Sequence, residues 1–140
     1  MSLTKKGYMP RLIDKSIKEN LEVFGAISIE GPKWCGKTWT ALNHANSVVF
    51  LNNTADNFRE KHLAEMDVNL VLDKDMPELI DEWQEVPAIW DAVRFKCDQD
   101  KEKGKYILTV SKNWFRPCAL AHKFFENLKA IYCRHSAKVI

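Results

Sequence analysis

Several features are scarce in this chain, and each scarcity excludes something. Glycine occurs only five times in 140 residues, which rules out a collagen-like or low-complexity chain. Four cysteines are present, Cys35, Cys97, Cys118 and Cys133, but no C-x-x-C pair. That removes the redox dithiol and the familiar zinc modules. Cys118, His122, Cys133 and His135 match no known finger spacing, and free thiols are expected rather than disulfides. No apolar run is long enough to span a bilayer and no signal-peptide pattern opens the sequence, so no membrane partner is expected and the cytoplasm is the expected location. Charge of one sign is also lacking. The net value of +2 points to no partner by itself. It is unevenly spread, however: residues 1–111 carry 15 Lys/Arg against 18 Asp/Glu, whereas residues 112–140 carry 6 against a single Glu. What the chain does have is an ordinary hydrophobic content, 46%, and a length that suits one domain with a buried core.

Two of the few glycines stand close together in "EGPKWCGKTWTA". From Gly31 to Thr38 the spacing is G-x-x-x-x-G-K-T. In such a loop the glycines let the backbone turn tightly, and successive N–H groups form a nest for phosphate oxygens. Lys37 offers a point charge to the terminal phosphates, and the Thr38 hydroxyl can ligate a magnesium ion that bridges them. The pattern has meaning only between a buried strand and a helix. Both are legible: "VFGAISIE" is short, apolar and β-branched, and "KTWTALNHA" continues as a helix with Ala41, Leu42 and Ala45 on one side. The residues expected to contact nucleotide are therefore Gly31, Pro32, Lys33, Trp34, Cys35, Gly36, Lys37, Thr38 and Trp39. Cys35 sits at a variable position of the loop and is assigned no chemistry.

A nucleotide site also needs a carboxylate from a different strand. In "MPELIDEWQEVP" the short apolar run "ELI" ends at Asp81 and Glu82. Asp81 is expected to hold magnesium with Thr38. Glu82 is expected to be the catalytic carboxylate that orients and polarises an attacking water.

The remaining elements alternate. A helix is expected within "PRLIDKSIKENLEVF", where Asp14 and Lys18 stand at i, i+4. A strand follows at "SVVFLNN", then a helix over "TADNFREKHLAEMD" opened by a polar cap. "VNLVLDKD" reads as either a short strand or a loop. A proline-led helix follows at "PAIWDAVRFKCDQ", and a strand at "YILTVS". Alternating strands and helices predict an α/β domain, three-layered, with a mostly parallel sheet. If the strand order is that of ATPases, "YILTVS" lies between the glycine-loop strand and the carboxylate strand. Thr109 or Ser111 is then placed to sense the γ-phosphate or to orient water. In the basic tail, Leu120, Phe124, Leu128 and Ile131 fall at helical spacing.

Taken together, "YMPRLID", "IEGPKWCGKT", "LIDEWQEVP" and "YILTVS" resemble the N-terminal ATPase domain of a large group of AAA+ proteins of bacteria and archaea. The resemblance covers about residues 8–111. It implies an AAA-like P-loop domain that binds ATP and magnesium, with the binding role on Gly31, Gly36, Lys37 and Thr38, the magnesium role on Asp81 and the catalytic role on Glu82. Members of that group usually have glycine then serine where this chain has Val110 and Ser111. They also continue into a further strand with a nearby arginine and then a second domain of unassigned function. The expectation is therefore a P-loop domain over 1–111, incomplete in this chain, followed at 112–140 by a basic tail, partly helical, at a truncated or frame-altered end. A homo-oligomer or a further C-terminal domain are the expected partners beside nucleotide. Two other readings compete. One is a module that holds nucleotide without turning it over. The other is a nucleic-acid binder working through Lys112, Arg116, Lys123, Lys129, Arg134 and Lys138, interleaved with Trp114, Phe124, Phe125 and Tyr132.

Overall fold

The computed structural model describes residues 7–31 and 35–111, and the backbone of 128–132. Pro32, Lys33 and Trp34 of the glycine loop lie outside the described residues. So do Cys118, His122, Cys133 and His135, and all of the 112–140 tail except the backbone of 128–132.

The elements run α1 (Leu12–Leu21), β1 (Ala26–Gly31), α2 (Lys37–Leu42), β2 (Ser47–Phe50), α3 (Arg59–Met66), β3 (Glu78–Asp81), α4 (Ala88–Asp100), β4 (Tyr106–Ser111) and β5 (Leu128–Tyr132). The sheet order is β2-β3-β4-β1-β5, and every pairing is parallel. β4 does lie between the glycine-loop strand and the carboxylate strand, as the sequence leads one to expect. Because all strands point the same way, Gly31, Asp81 and Ser111 finish at one edge of the sheet, and Gly31 stands in register with Ser111. That carboxyl edge is where open α/β sheets bind ligands.

β1, β3 and β4 are buried along their whole length, which explains their nearly continuous apolar sequences. Side chains alternate between the two faces. On one face Ile27, Ile29, Leu79 and Ile107 pack against Ile13 and Ile17 of α1 and Ala41 and Leu42 of α2. On the other, Leu108, Val110 and Ile80 pack against Ala64 of α3 and Ile89, Trp90 and Val93 of α4. There the rings of Trp83 and Trp90 lie 4.8 Å apart. The result is three layers. The same alternation puts Asp81, Thr109 and Ser111 on the face that carries α2.

Two expectations are corrected, and one open alternative resolves to a loop. The helix read from Thr54 begins only at Arg59. Asn53 accepts a hydrogen bond from the Ala55 amide, a local turn that competes with helix, and Asn57 and Phe58 take left-handed backbone angles. The stretch around Val68 forms a single 3-10 turn, Val68–Leu70, with the Asp67 carboxylate accepting from the Asn69 amide. Leu128 and Ile131, read at helical spacing, lie instead on β5, which pairs with β1 from Ala26↔Leu128 to Glu30↔Tyr132. The open edge of β1 decides this: a short apolar run that fits helix or strand goes where backbone partners wait.

One buried group burdens this fold. Glu78 is fully buried, and neither carboxyl oxygen makes a full hydrogen bond. Burial pushes its pKa up to about 7, although the Lys74 backbone amide and the nearby Lys74 and Lys96 cations draw it down. An acid whose pKa is raised on folding stabilises the fold while protonated and loses that contribution as pH climbs from its unfolded value to about 7. Glu78→Gln is therefore expected to raise the thermal midpoint at pH 8 and to leave it nearly unchanged at pH 5. Melts of both proteins at the two pH values check this.

Candidate functional site

The site is assembled where Gly31 ends β1, α2 begins, and Asp81 ends β3. Gly36 has φ +91°, a left-handed angle that side chains rarely adopt. The turn that it permits delivers Lys37 and Thr38 into the first turn of α2. Lys37 is almost fully buried, with its charge near Asp81. The Thr38 hydroxyl donates to Asp81 Oδ1 at 2.6 Å, and the Thr109 hydroxyl donates to the same oxygen at 2.8 Å. Burial raises the Asp81 pKa, against the pull of these two hydroxyls and of Lys37, while Glu82 beside it adds to the rise. Phe50, Asn52, Asn53 and Asp81 line an adjoining cleft of about 250 Å³.

Glu82 follows in the left-handed region, φ 56° and ψ 54°. Its amide donates to Thr109 Oγ1 at 2.9 Å. Its carboxylate accepts from the Ser111 hydroxyl, 3.0 Å from each oxygen, and from the Gln84 amide nitrogen. Thr109 and Ser111, either of which is expected to sense the γ-phosphate or to orient water, hold the two acidic residues: Thr109 braces Asp81 and the Glu82 backbone, and Ser111 holds the Glu82 side chain.

The structure thus brings Gly31, Gly36, Lys37, Thr38, Asp81 and Glu82 to one edge. Cys35 is buried against the α1–α2 face, and Trp39 is exposed on α2. Neither Cys35 nor Cys97 forms a disulfide among the described residues. Sequence reasoning misses Gln84, although it stands two residues after Glu82 in "DEWQ" and its amide turns back to the Glu82 carboxylate. It also misses a group on the other side of α2: Tyr8, Arg11, Asp14, Thr40 and His44. Among the described residues no cluster of three His, Cys, Asp or Glu side chains forms a metal site, and no helix is long and apolar enough to cross a membrane.

This fold, with a glycine turn leading into a helix beside a strand-end carboxylate, defines an AAA-like P-loop domain of the α/β class. A family model described as "AAA domain" matches residues 24–130, and the chain belongs to that family. The match runs past Ser111 to residue 130, so the family pattern extends beyond the stretch over which the motifs alone are recognisable. No curated protein matches the chain.

Proposed function

We propose that this domain binds ATP with magnesium through the 31–38 loop and hydrolyses it with the aid of Glu82. The reading rests on one observation above the others: the Thr38 hydroxyl reaches Asp81, 43 residues away in sequence, at 2.6 Å. Family membership supports a nucleotide. ATP in particular follows from the AAA+ resemblance, since adenine contacts lie outside the loop.

The residues fit the cation. Magnesium prefers hard oxygen ligands and takes only one or two from protein when phosphates and water supply the rest. A hydroxyl and a buried carboxylate meeting beside a lysine match that donor set. Thr38 and Asp81 would hold the ion, which when bound neutralises charge between the outer phosphates. Lys37 would meet the terminal phosphates, and Glu82 would orient water for attack.

The second reading, a module that holds nucleotide without turnover, draws support from the Glu82 carboxylate being engaged by Ser111 and Gln84. Titrations with ATP and with GTP, each with and without magnesium, together with a phosphate-release assay, decide among these. Magnesium-dependent ATP binding with phosphate release supports hydrolysis. Binding without release supports the module. No binding overturns both.

A further inference from the structure

The segment "YMPRLID" stands out in the sequence, yet the nucleotide site just described makes no use of it. In the structure it packs against α2. Arg11 Nη1 donates to the Thr40 hydroxyl at 2.9 Å and stands 3.4 Å from the Gly36 carbonyl. That carbonyl also accepts the Thr40 amide, the first helical bond of α2, at 3.0 Å. A Cβ added at Gly36 would meet Arg11 Nη1 at 2.8 Å, so the guanidinium lies directly on the turn. Thr40 itself is fully buried.

Asp14 fixes the other end. Its carboxylate accepts from the Arg11 amide at 2.5 Å and from the Tyr8 hydroxyl at 2.8 and 2.9 Å, and it lies 2.7 Å from His44 Nε2, just past the end of α2. Asp14, four residues before Lys18, therefore turns inward rather than to that lysine. Burial raises its pKa, but the hydrogen bonds from Arg11, His44 and Tyr8 outweigh it and hold the carboxyl below its ordinary value.

α2 has a structural need for such support. It is six residues long, and a helix that short does not hold itself together in water. Its first turn nevertheless has to present Lys37 and Thr38 in a fixed geometry. Apolar packing of Ala41 and Leu42 secures its far half. The near half rests on Arg11 and Thr40.

We infer that Arg11 is a positioning residue for nucleotide binding, acting through Gly36 and Thr40 to set the first turn of α2. This rests on the reading of the loop as a nucleotide site. The segment before the first strand then belongs to the site as much as the glycine loop does.

The test is calorimetry with Mg-ATP on the full chain, alongside melting curves without nucleotide. Arg11→Gln is expected to weaken Mg-ATP binding about tenfold, in the range of a lost charge-assisted hydrogen bond. Thr40→Val should lose a similar factor, and Thr40→Ser, which keeps the hydroxyl, should bind as the unaltered protein does. Combining Arg11→Gln with Thr40→Val should cost clearly less than the sum of the two, because they share the Arg11–Thr40 hydrogen bond. A purely structural contact would lower the melting temperature and leave the folded protein's affinity unchanged, and that result overturns the inference, as do additive losses. If Arg11→Gln does not fold, the comparison of Thr40→Val with Thr40→Ser decides the same question. Lys37→Ala separates this inference from the reading beneath it. Loss of binding there with full binding in Arg11→Gln and Thr40→Val sinks the inference alone, whereas an unaltered protein that binds no nucleotide sinks both.

Discussion

Lys37→Ala is expected to weaken Mg-ATP binding about 30- to 150-fold, or about 2–3 kcal/mol, the usual worth of a hydrogen bond to a charged partner. Lys37 is almost wholly buried on the first turn of α2, so no solvent cation can take its place at the phosphates. The loss has a second source. The Lys37 charge lowers the pKa of Asp81, which burial has already raised. Without the lysine, Asp81 holds its proton more strongly and becomes a poorer partner for magnesium. The affinity deficit should therefore be larger with magnesium than without it. Calorimetry with and without the ion, on protein whose circular dichroism is unchanged, measures both parts, and undiminished affinity would falsify the role given to the loop.

Glu82→Gln and Asp81→Asn are expected to fail in different ways. The first keeps the shape of the side chain and removes the carboxylate proposed to orient water. Binding should persist while phosphate release falls about 100-fold or more, the usual contribution of a positioned acid–base group. The second should abolish the magnesium dependence of binding, and it should also stabilise the empty protein. The Asp81 pKa is raised on folding, chiefly by burial. Such a carboxyl favours the fold when protonated, and that favour is lost as pH rises through the folded-state value. At neutral pH the asparagine, uncharged and still able to accept from Thr38 and Thr109, escapes the cost. In acid the two proteins should melt alike. Asp81→Asn melting below the unaltered protein at neutral pH, or the two variants showing one shared binding defect, would defeat this division of roles.

How legible the protein is in its sequence depends on where the determining contacts lie. "YILTVS" reads to the residue as β4, and "ELI" leads to β3, because strands buried on both faces are apolar throughout. That Gly31, Gly36, Lys37, Thr38, Asp81 and Glu82 meet at one edge is legible because a glycine loop closes one buried strand and an acidic pair closes another. The start of α3 is not, because Asn53 and the left-handed Asn57 and Phe58 build a turn where a polar cap is expected. β5 misleads because "LKAIY" carries no period of its own, and its state is set by pairing with β1. The bracing of α2 is out of reach for another reason. Arg11 and Thr40 are 29 residues apart, Asp14 and His44 are 30 apart, and nothing local in either member marks it for the other.

The backbone at Glu82 sets two demands against each other. A left-handed conformation costs an ordinary side chain about 1–2 kcal/mol, while glycine adopts it freely and asparagine nearly so. The chemistry proposed for that position needs a carboxylate on a two-carbon arm. A complete substitution scan of codon 82 should therefore yield two rankings that disagree. Scored by protease resistance, glycine and asparagine should outlast glutamate. Scored by phosphate release, glutamate should stand alone. If the proposed hydrolysis holds, selection for durability alone would carry this chain toward a sturdier nucleotide holder without turnover, and it would need only one altered residue to do so.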